Sequence, residues 1–218
     1  GVVAAATRVN RGGADVLVRI NASWRLAVRD LEAVINPAIH SVVVPKVGSA
    51  EQLRAISEVI TELEHEAGMP PGSTGLLAQI ESPAALFRIQ SIAAADPRLL
   101  AVSLGSEDFA AEAGMQPNAD GLLFPSQQII FAARAAGILP LGFVASIADY
   151  ADIEIFDNTI RRASALGFAG GLCVHPRQVP LMNAGYAPSG EDVVEARAVL
   201  EVYQQALEQG QGAVEFRG

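Results

Sequence analysis

Lysine occurs once in this 218-residue chain, at Lys46, against 14 arginines, and cysteine occurs once, at Cys173. A single cysteine excludes an intramolecular disulfide. No apolar run approaches the ~20 residues that a membrane-spanning helix needs. The opening residues Gly1 to Arg8 lack the basic lead of a secretory signal. These absences predict a soluble, cytoplasmic chain with no membrane partner. Positive charge is also scarce: the net charge is −9 and the pI about 4.8. Phosphate contacts dominate nucleic-acid affinity, so this balance argues against a nucleic-acid partner. Low-complexity tracts are missing as well, and half of the residues are hydrophobic, which suits a folded domain with a sizeable core.

What the chain does have is alternation. Short apolar runs recur at Val16–Ile20, Ser41–Pro45, Gly75–Ile80, Leu99–Leu104, Leu139–Val144 and Gly170–Val174. Near-continuous apolar runs of this length suit strands covered on both faces, as in a parallel sheet. Between them lie helical patterns. Ser49 caps a stretch to Ala67 with apolar residues at Leu53, Ile56, Ile60 and Leu63, closed by Gly68. Ser82-Pro83 starts another helix, Pro125 opens one over residues 126–136, and further helices are expected over Asp149–Leu166 and Gly190–Gln209. Strand–helix repeats predict parallel pairing. Gly12-Gly13 precedes a strand, so the glycine-rich turn of a dinucleotide fold is absent. The expectation is an α/β chain of the TIM (β/α)8-barrel type, with residues 1–218 forming a single domain.

In such a barrel, chemistry gathers at the C-terminal ends of the strands. Here those ends carry Arg19, Lys46, Glu81, the run Gly105-Ser106-Glu107-Asp108, and His175. A carboxylate at the end of a buried strand is costly unless it is paired or binds a cation. Glu81 and Asp108 on neighbouring strand ends suit Mg²⁺, which takes one or two carboxylates and keeps several waters. Equally, Glu81 can salt-bridge locally and Asp108 can cap a helix; Glu107 is an alternative ligand. Arg19 is either a clamp for an anionic substrate group or half of an ion pair. Lys46 is a partner for a metal-binding carboxylate, a phosphate contact, a Schiff-base nucleophile or a structural salt bridge. His175 is a base or a hydrogen-bonded structural histidine. His65 is expected to be exposed, Trp24 to pack, and Cys173 to lie inert within its strand.

Ile80-Glu81-Ser82-Pro83-Ala84-Ala85-Leu86 followed by Leu104-Gly105-Ser106-Glu107-Asp108-Phe109 resembles the paired metal motif of the citrate lyase beta-subunit-like family, within the HpcH/HpaI aldolase/citrate lyase superfamily of barrels. Val18-Arg19-Ile20-Asn21 is similar to its substrate-arginine strand and Val44-Pro45-Lys46-Val47 to the next. Gly167 to Val179 resembles its last strand and following turn. In order, these motifs cover most of the chain from about Asp15 to Ala213. The resemblance implies Mg²⁺ held by Glu81 and Asp108, and Arg19 gripping substrate oxygens. It further implies citryl-, malyl- or citramalyl-CoA thioesters as substrates and a homo-oligomer, trimeric or larger. Backbone N–H groups near Gly105, Ser106 and Glu107 then receive a substrate carboxylate. The family's first two strands and its C-terminal lid, which carries a catalytic aspartate, have no counterpart here. The six strands therefore correspond to strands three to eight, followed by the C-terminal helix. Three other readings stay open: a metal-dependent pyruvate aldolase without CoA, a Schiff-base aldolase using Lys46, and a non-catalytic barrel subunit. An acyl-carrier thioester can also stand in for the CoA ester.

Overall fold

The computed structural model describes residues 1–146 and 152–217. Its centre is a parallel five-stranded sheet in sequential order: β1 (Leu17–Arg19), β2 (Ser41–Val44), β3 (Gly75–Ile80), β4 (Leu99–Leu104) and β5 (Leu139–Leu141). Every residue of β2 and β3 is buried, as a sheet covered on both faces requires. The order 1-2-3-4-5 never reverses, so there is no switch point of the doubly wound kind. This is an arc of a β/α barrel, which does not close among the described residues. The expected sixth strand is reduced to one parallel bridge, Gly170 to Leu141, and β5 stops at Leu141 because the chain turns at Gly142 (φ 152°).

The helices are α1 (Val2–Asn10), α2 (Trp24–Val34), α3 (Ala50–Glu66), α4 (Pro83–Leu86), α5 (Ile89–Ala93), α6 (Ser106–Ala113), α7 (Ala119–Ala136), α8 (Ile153–Leu166), α9 (Gln178–Tyr186) and α10 (Gly190–Glu208). Ser49 and Ser82 cap α3 and α4 as expected, and Ser189 closes a capping box on α10 with Asp192. The helix expected from Pro125 instead starts at Ala119, capped by Asn118, and carries Pro125 inside it. Proline removes the N–H that would meet the Gly121 carbonyl. Burial of Leu122, Pro125, Ile129 and Ile130 holds the helix together across that gap. The expected start of α8 at Asp149 lies outside the described residues, and Asp152 caps the helix that follows. Trp24 is half exposed rather than packed, and Cys173 is exposed in a loop. His65 is exposed, as expected.

Two apolar layers sandwich the sheet. The larger fills the space between strands and helices and runs from Ile20 to Met182. The smaller, Val43, Leu77 and Ala101 with Leu141 and Leu172 against them, lines the inner, concave face.

At the N-terminal ends of the strands, Glu64 extends the buried stripe of α3 and is fully buried. Both its oxygens accept from the Arg98 guanidinium, at 2.8 and 2.7 Å, and from the N–H groups of Thr74 and Gly72, at 2.7 and 2.8 Å. Arg98 also donates to Thr61 Oγ1 and to the Thr74 carbonyl. Burial alone would raise the Glu64 pKa, but Arg98 and the two N–H donors outweigh it and hold the carboxyl below its ordinary 4.5. A folded pKa below the unfolded one stabilises above the unfolded value and is lost as pH falls through the folded one. Removing either partner leaves the other charge buried, so Glu64→Gln and Arg98→Ala should each cost about 3–5 kcal/mol. Urea denaturation at pH 7 should show this loss, and the difference from the parent should shrink as the pH is taken below 4.5.

Candidate functional site

The C-terminal strand ends surround a cavity of about 200 Å³. Arg19, Glu81, Gly105, Ser106, Glu107 and Asp108, six of the eight strand-end residues expected from the sequence, line it; Lys46 and His175 do not. They are brought together because each follows or ends a parallel strand, and parallel strands point their ends one way. Arg19 ends β1, Glu81 follows β3, and Gly105 is the N-cap of α6, whose first turn carries Glu107 and Asp108. Acidic side chains in that turn complement the helix dipole.

Glu81 is buried, and its Oε2 accepts from the backbone N–H of Lys46 at 3.1 Å. Lys46 donates from a left-handed backbone conformation (φ 51°), which costs a residue with a Cβ about 1–2 kcal/mol. Its ammonium lies 3.5 Å from Asp108 Oδ1, with both side chains more than half exposed. Lys46 thus touches both carboxylates from the rim without lining the cavity. An exposed, paired lysine is the opposite of the desolvated amine that Schiff-base chemistry uses. Arg19 is exposed, and its side chain makes no hydrogen bond or ion pair with a described residue, so the alternative of a structural ion pair is not met. His175 is partly buried beside the cavity wall, and its Nδ1 accepts from the Arg177 N–H at 3.1 Å.

Burial pushes the Glu81 pKa up, and the neighbouring Asp108 charge pushes it further; Lys46 and Arg19 only partly offset this. Glu81 is therefore a carboxylate short of positive charge. Among the described residues no group of three or more His, Cys, Asp or Glu is placed to hold a metal ion. Two carboxylates with neither imidazole nor thiolate fit a hard cation that completes its shell with water and substrate oxygens. The carboxylate also explains Gly105: a Cβ there would fall 2.4 Å from Glu81 Cγ and 3.0 Å from Oε1.

Further lining residues were not singled out by the sequence reading: Gln79, Ser103, Gly142, Phe143, Leu172 and Val174. Two of these carried a legible signal. Gln79 and Ser103 are polar residues in otherwise apolar strands, two positions before Glu81 and Gly105 and hence on the same face. The apolar ones lie after β5 and Gly170, in runs that read as strand, so nothing in the pattern set them apart as cavity walls.

Strand-end carboxylates around a cavity on a sequential parallel sheet define a β/α-barrel enzyme. The chain belongs to the HpcH/HpaI aldolase/citrate lyase family, which matches residues 2–176. Citrate lyase subunit beta of Escherichia coli K12 is 37% identical over 212 residues, 94% of this chain and 68% of that protein. The L-malyl-CoA/beta-methylmalyl-CoA lyase of Cereibacter sphaeroides ATCC 17025 is 33% identical over 241 aligned positions, covering all of this chain and 74% of that protein. Among solved structures, protein CitE from Mycobacterium tuberculosis in complex with magnesium, acetoacetate and coenzyme A superposes with a TM-score of 0.68 at 31% identity, covering 93% of this chain and 70% of that one. The relatives are named as lyases, and the chain is an enzyme of that class, a carbon–carbon lyase.

Two stability measurements check the site's geometry. A folded carboxyl pKa above the unfolded 4.5 stabilises at low pH, and that contribution is lost as pH rises through the folded value. Without added divalent cation, Glu81→Gln should accordingly be more stable than the parent at pH 7, with the gap closing by pH 4. Gly105→Ala should cost about 1–3 kcal/mol by overpacking. In a Glu81→Ala background, which lacks the clashing Cγ, that cost should nearly vanish, a coupling that a double-mutant cycle in urea reads directly.

Proposed function

We propose that this protein is a Mg²⁺-dependent carbon–carbon lyase that cleaves or forms a 3-hydroxyacyl thioester of the citryl-, malyl- or citramalyl-CoA type. The observation that carries the reading is the convergence of Glu81, Asp108 and Arg19 on one strand-end cavity, with Glu81 left short of positive charge. Similarity to a malyl-CoA lyase, and to a protein solved with magnesium, acetoacetate and coenzyme A, supports the substrate class. An acyl-carrier thioester, as suits a citrate lyase subunit, is the near variant. We read residues 1–218 as one domain of a cytoplasmic homo-oligomer, a trimer or hexamer. The exposed Val194, Val199, Leu200, Tyr203 and Leu207 of α10 give such an assembly apolar surface to bury.

Glu81 and Asp108 would hold the Mg²⁺. When bound, the ion supplies a Lewis acid that polarises the oxygen of the hydroxy- or keto-acid half. Arg19, unengaged by described residues and facing the same cavity, grips an anionic oxygen through its planar fork. The N–H groups at the start of α6, around Gly105, Ser106 and Glu107, receive a carboxylate. Cleavage leaves an enolate, and donors already in place lower its cost because they need no reorganisation as the charge forms. Lys46 holds both carboxylates from the rim and balances part of their charge. Phe143, Leu172 and Val174 wall the cavity with apolar surface that limits water.

Calorimetric titration with Mg²⁺ in the presence of oxaloacetate or pyruvate should show binding that strengthens with the keto acid. Glu81→Ala should abolish both that binding and turnover of the CoA thioesters. Arg19→Ala should lower kcat by about 10²–10³-fold while Mg²⁺ binding persists. Turnover undiminished in excess chelator would sink the proposal, and cleavage of free hydroxy-keto acids in place of thioesters would move it to the pyruvate-aldolase chemistry.

A further inference from the structure

The chain after β2 is fastened to β3 by two successive backbone N–H groups. That of Lys46 donates to Glu81 Oε2 at 3.1 Å, and that of Val47 to the Gln79 carbonyl at 3.1 Å. Lys46 holds a left-handed backbone (φ 51°) that glycine adopts without strain, yet the chain keeps its one lysine there. β3 lies between β2 and β4 in the sheet, and the Lys46 side chain spans that gap. Its ammonium stands 3.5 Å from Asp108 Oδ1. The backbone and side chain of one residue thus reach both carboxylates of the candidate metal site.

This contact is unlike the carboxylate clamp at the other end of the sheet. There the chain fixes Glu64 with arginine: Arg98 donates through two nitrogens, at 2.8 and 2.7 Å, and both side chains are buried. Lys46 makes one longer contact, with both side chains more than half exposed. An exposed pair of that kind is weak and exchangeable. A lysine ammonium is also a point charge on a flexible stem, so it can leave Asp108 without moving the backbone that holds Glu81.

The charges around the site give the exchange a consequence. Three carboxylates line the cavity, Glu81, Glu107 and Asp108, and two cations stand among them, Arg19 and Lys46. With all five ionised, the empty group carries one net negative charge. A divalent cation turns this into one net positive charge, which an anionic acid beside it balances. Without the Lys46 charge, the divalent cation would bring the group to neutrality by itself, and charge would no longer call for the acid.

We infer that Lys46 is an exchangeable counter-charge that couples the ligands of this site: it holds Asp108 while the site is empty and, by opposing a divalent cation bound alone, makes tight metal binding depend on an anionic acid arriving with it. The inference rests on the lyase reading above and adds how the site is loaded. The coupling is reciprocal, so the acid also binds well only beside the metal. A site loaded in this way does not retain free metal ion with water in the place of the substrate.

The test is calorimetric titration of the full chain, at one fixed ionic strength, with Mg²⁺ alone and with Mg²⁺ in saturating pyruvate. In the parent, pyruvate should tighten Mg²⁺ binding about tenfold or more. Lys46→Met should bind Mg²⁺ alone about three- to tenfold tighter, and the effect of pyruvate should shrink by a similar factor. Lys46→Arg retains the charge and should retain the parent's coupling. Lys46→Gly keeps the backbone N–H, relieves the left-handed strain and should behave as Lys46→Met does, which guards against a loss of fold. A residue that merely organises the ligands would show the opposite sign, with weaker binding of Mg²⁺ alone once it is removed. That sign, an unchanged coupling in Lys46→Met and Lys46→Gly, or loss of the coupling in Lys46→Arg overturns the inference while leaving the lyase reading intact. A parent whose Mg²⁺ affinity ignores pyruvate overturns it as well. A parent that binds no Mg²⁺ under either condition overturns both.

Discussion

Everything around the strand-end cavity of this molecule follows from one carboxylate placed where a carboxylate is expensive. Glu81 ends a strand whose six residues are all buried, and its side chain shares that burial. Its neighbours adapt to it. Gly105 has no Cβ because Glu81 occupies that space, and Lys46 adopts a left-handed backbone and donates its N–H to the carboxylate. Asp108 adds a second negative charge instead of relieving the first. A fold selected for stability alone would not assemble this; a cation with substrate attached would resolve it.

The opposite end of the sheet treats a carboxylate in the reverse manner. Glu64 is buried as deeply, but four donors satisfy it, two from the Arg98 guanidinium and two from backbone N–H groups. Its pKa falls where that of Glu81 rises, although desolvation acts on both. The contrast follows the division of labour of β/α barrels, with stability at the N-terminal face of the sheet and chemistry at the C-terminal face. Between the two, the concave face passes from Val43, Leu77 and Ala101 to the uncharged polar pair Gln79 and Ser103, and then to the charged rim. Polarity is thus graded along the strands.

The one-sided placement of polar residues, read with family similarity, leads to the same chemistry from two directions. The geometry supplies two carboxylates, an arginine without a hydrogen bond or ion pair among the described residues, and a helix N-terminus around a small cavity with apolar walls. Membership of the aldolase/citrate lyase family supplies the class of bond that such a constellation breaks. Neither depends on the other: a strand-end carboxylate held short of positive charge would point to a cation in any family.

What the sequence determined by itself was whatever depends on local pattern. Apolar runs identified five strands, serine caps marked the starts of α3 and α4, and polar residues at the strand ends named six of the cavity's lining residues. Local pattern misled where tertiary burial overrides it. Pro125 reads as a helix start but is carried inside α7 by packing on both sides, and Gly170–Val174 reads as a strand but pairs through a single bridge. Only the tertiary structure could decide which polar groups are satisfied. Glu64 and Arg98 stand 34 positions apart and meet because α3 ends and β4 begins at the same end of the sheet. Gln79 and Ser103 carry no motif, and only the register sets them side by side above a dry layer, each with an atom unpaired among the described residues. Periodicity is a property of neighbours in the chain, whereas the cost of an unpaired polar atom or an uncompensated charge is set by neighbours in space.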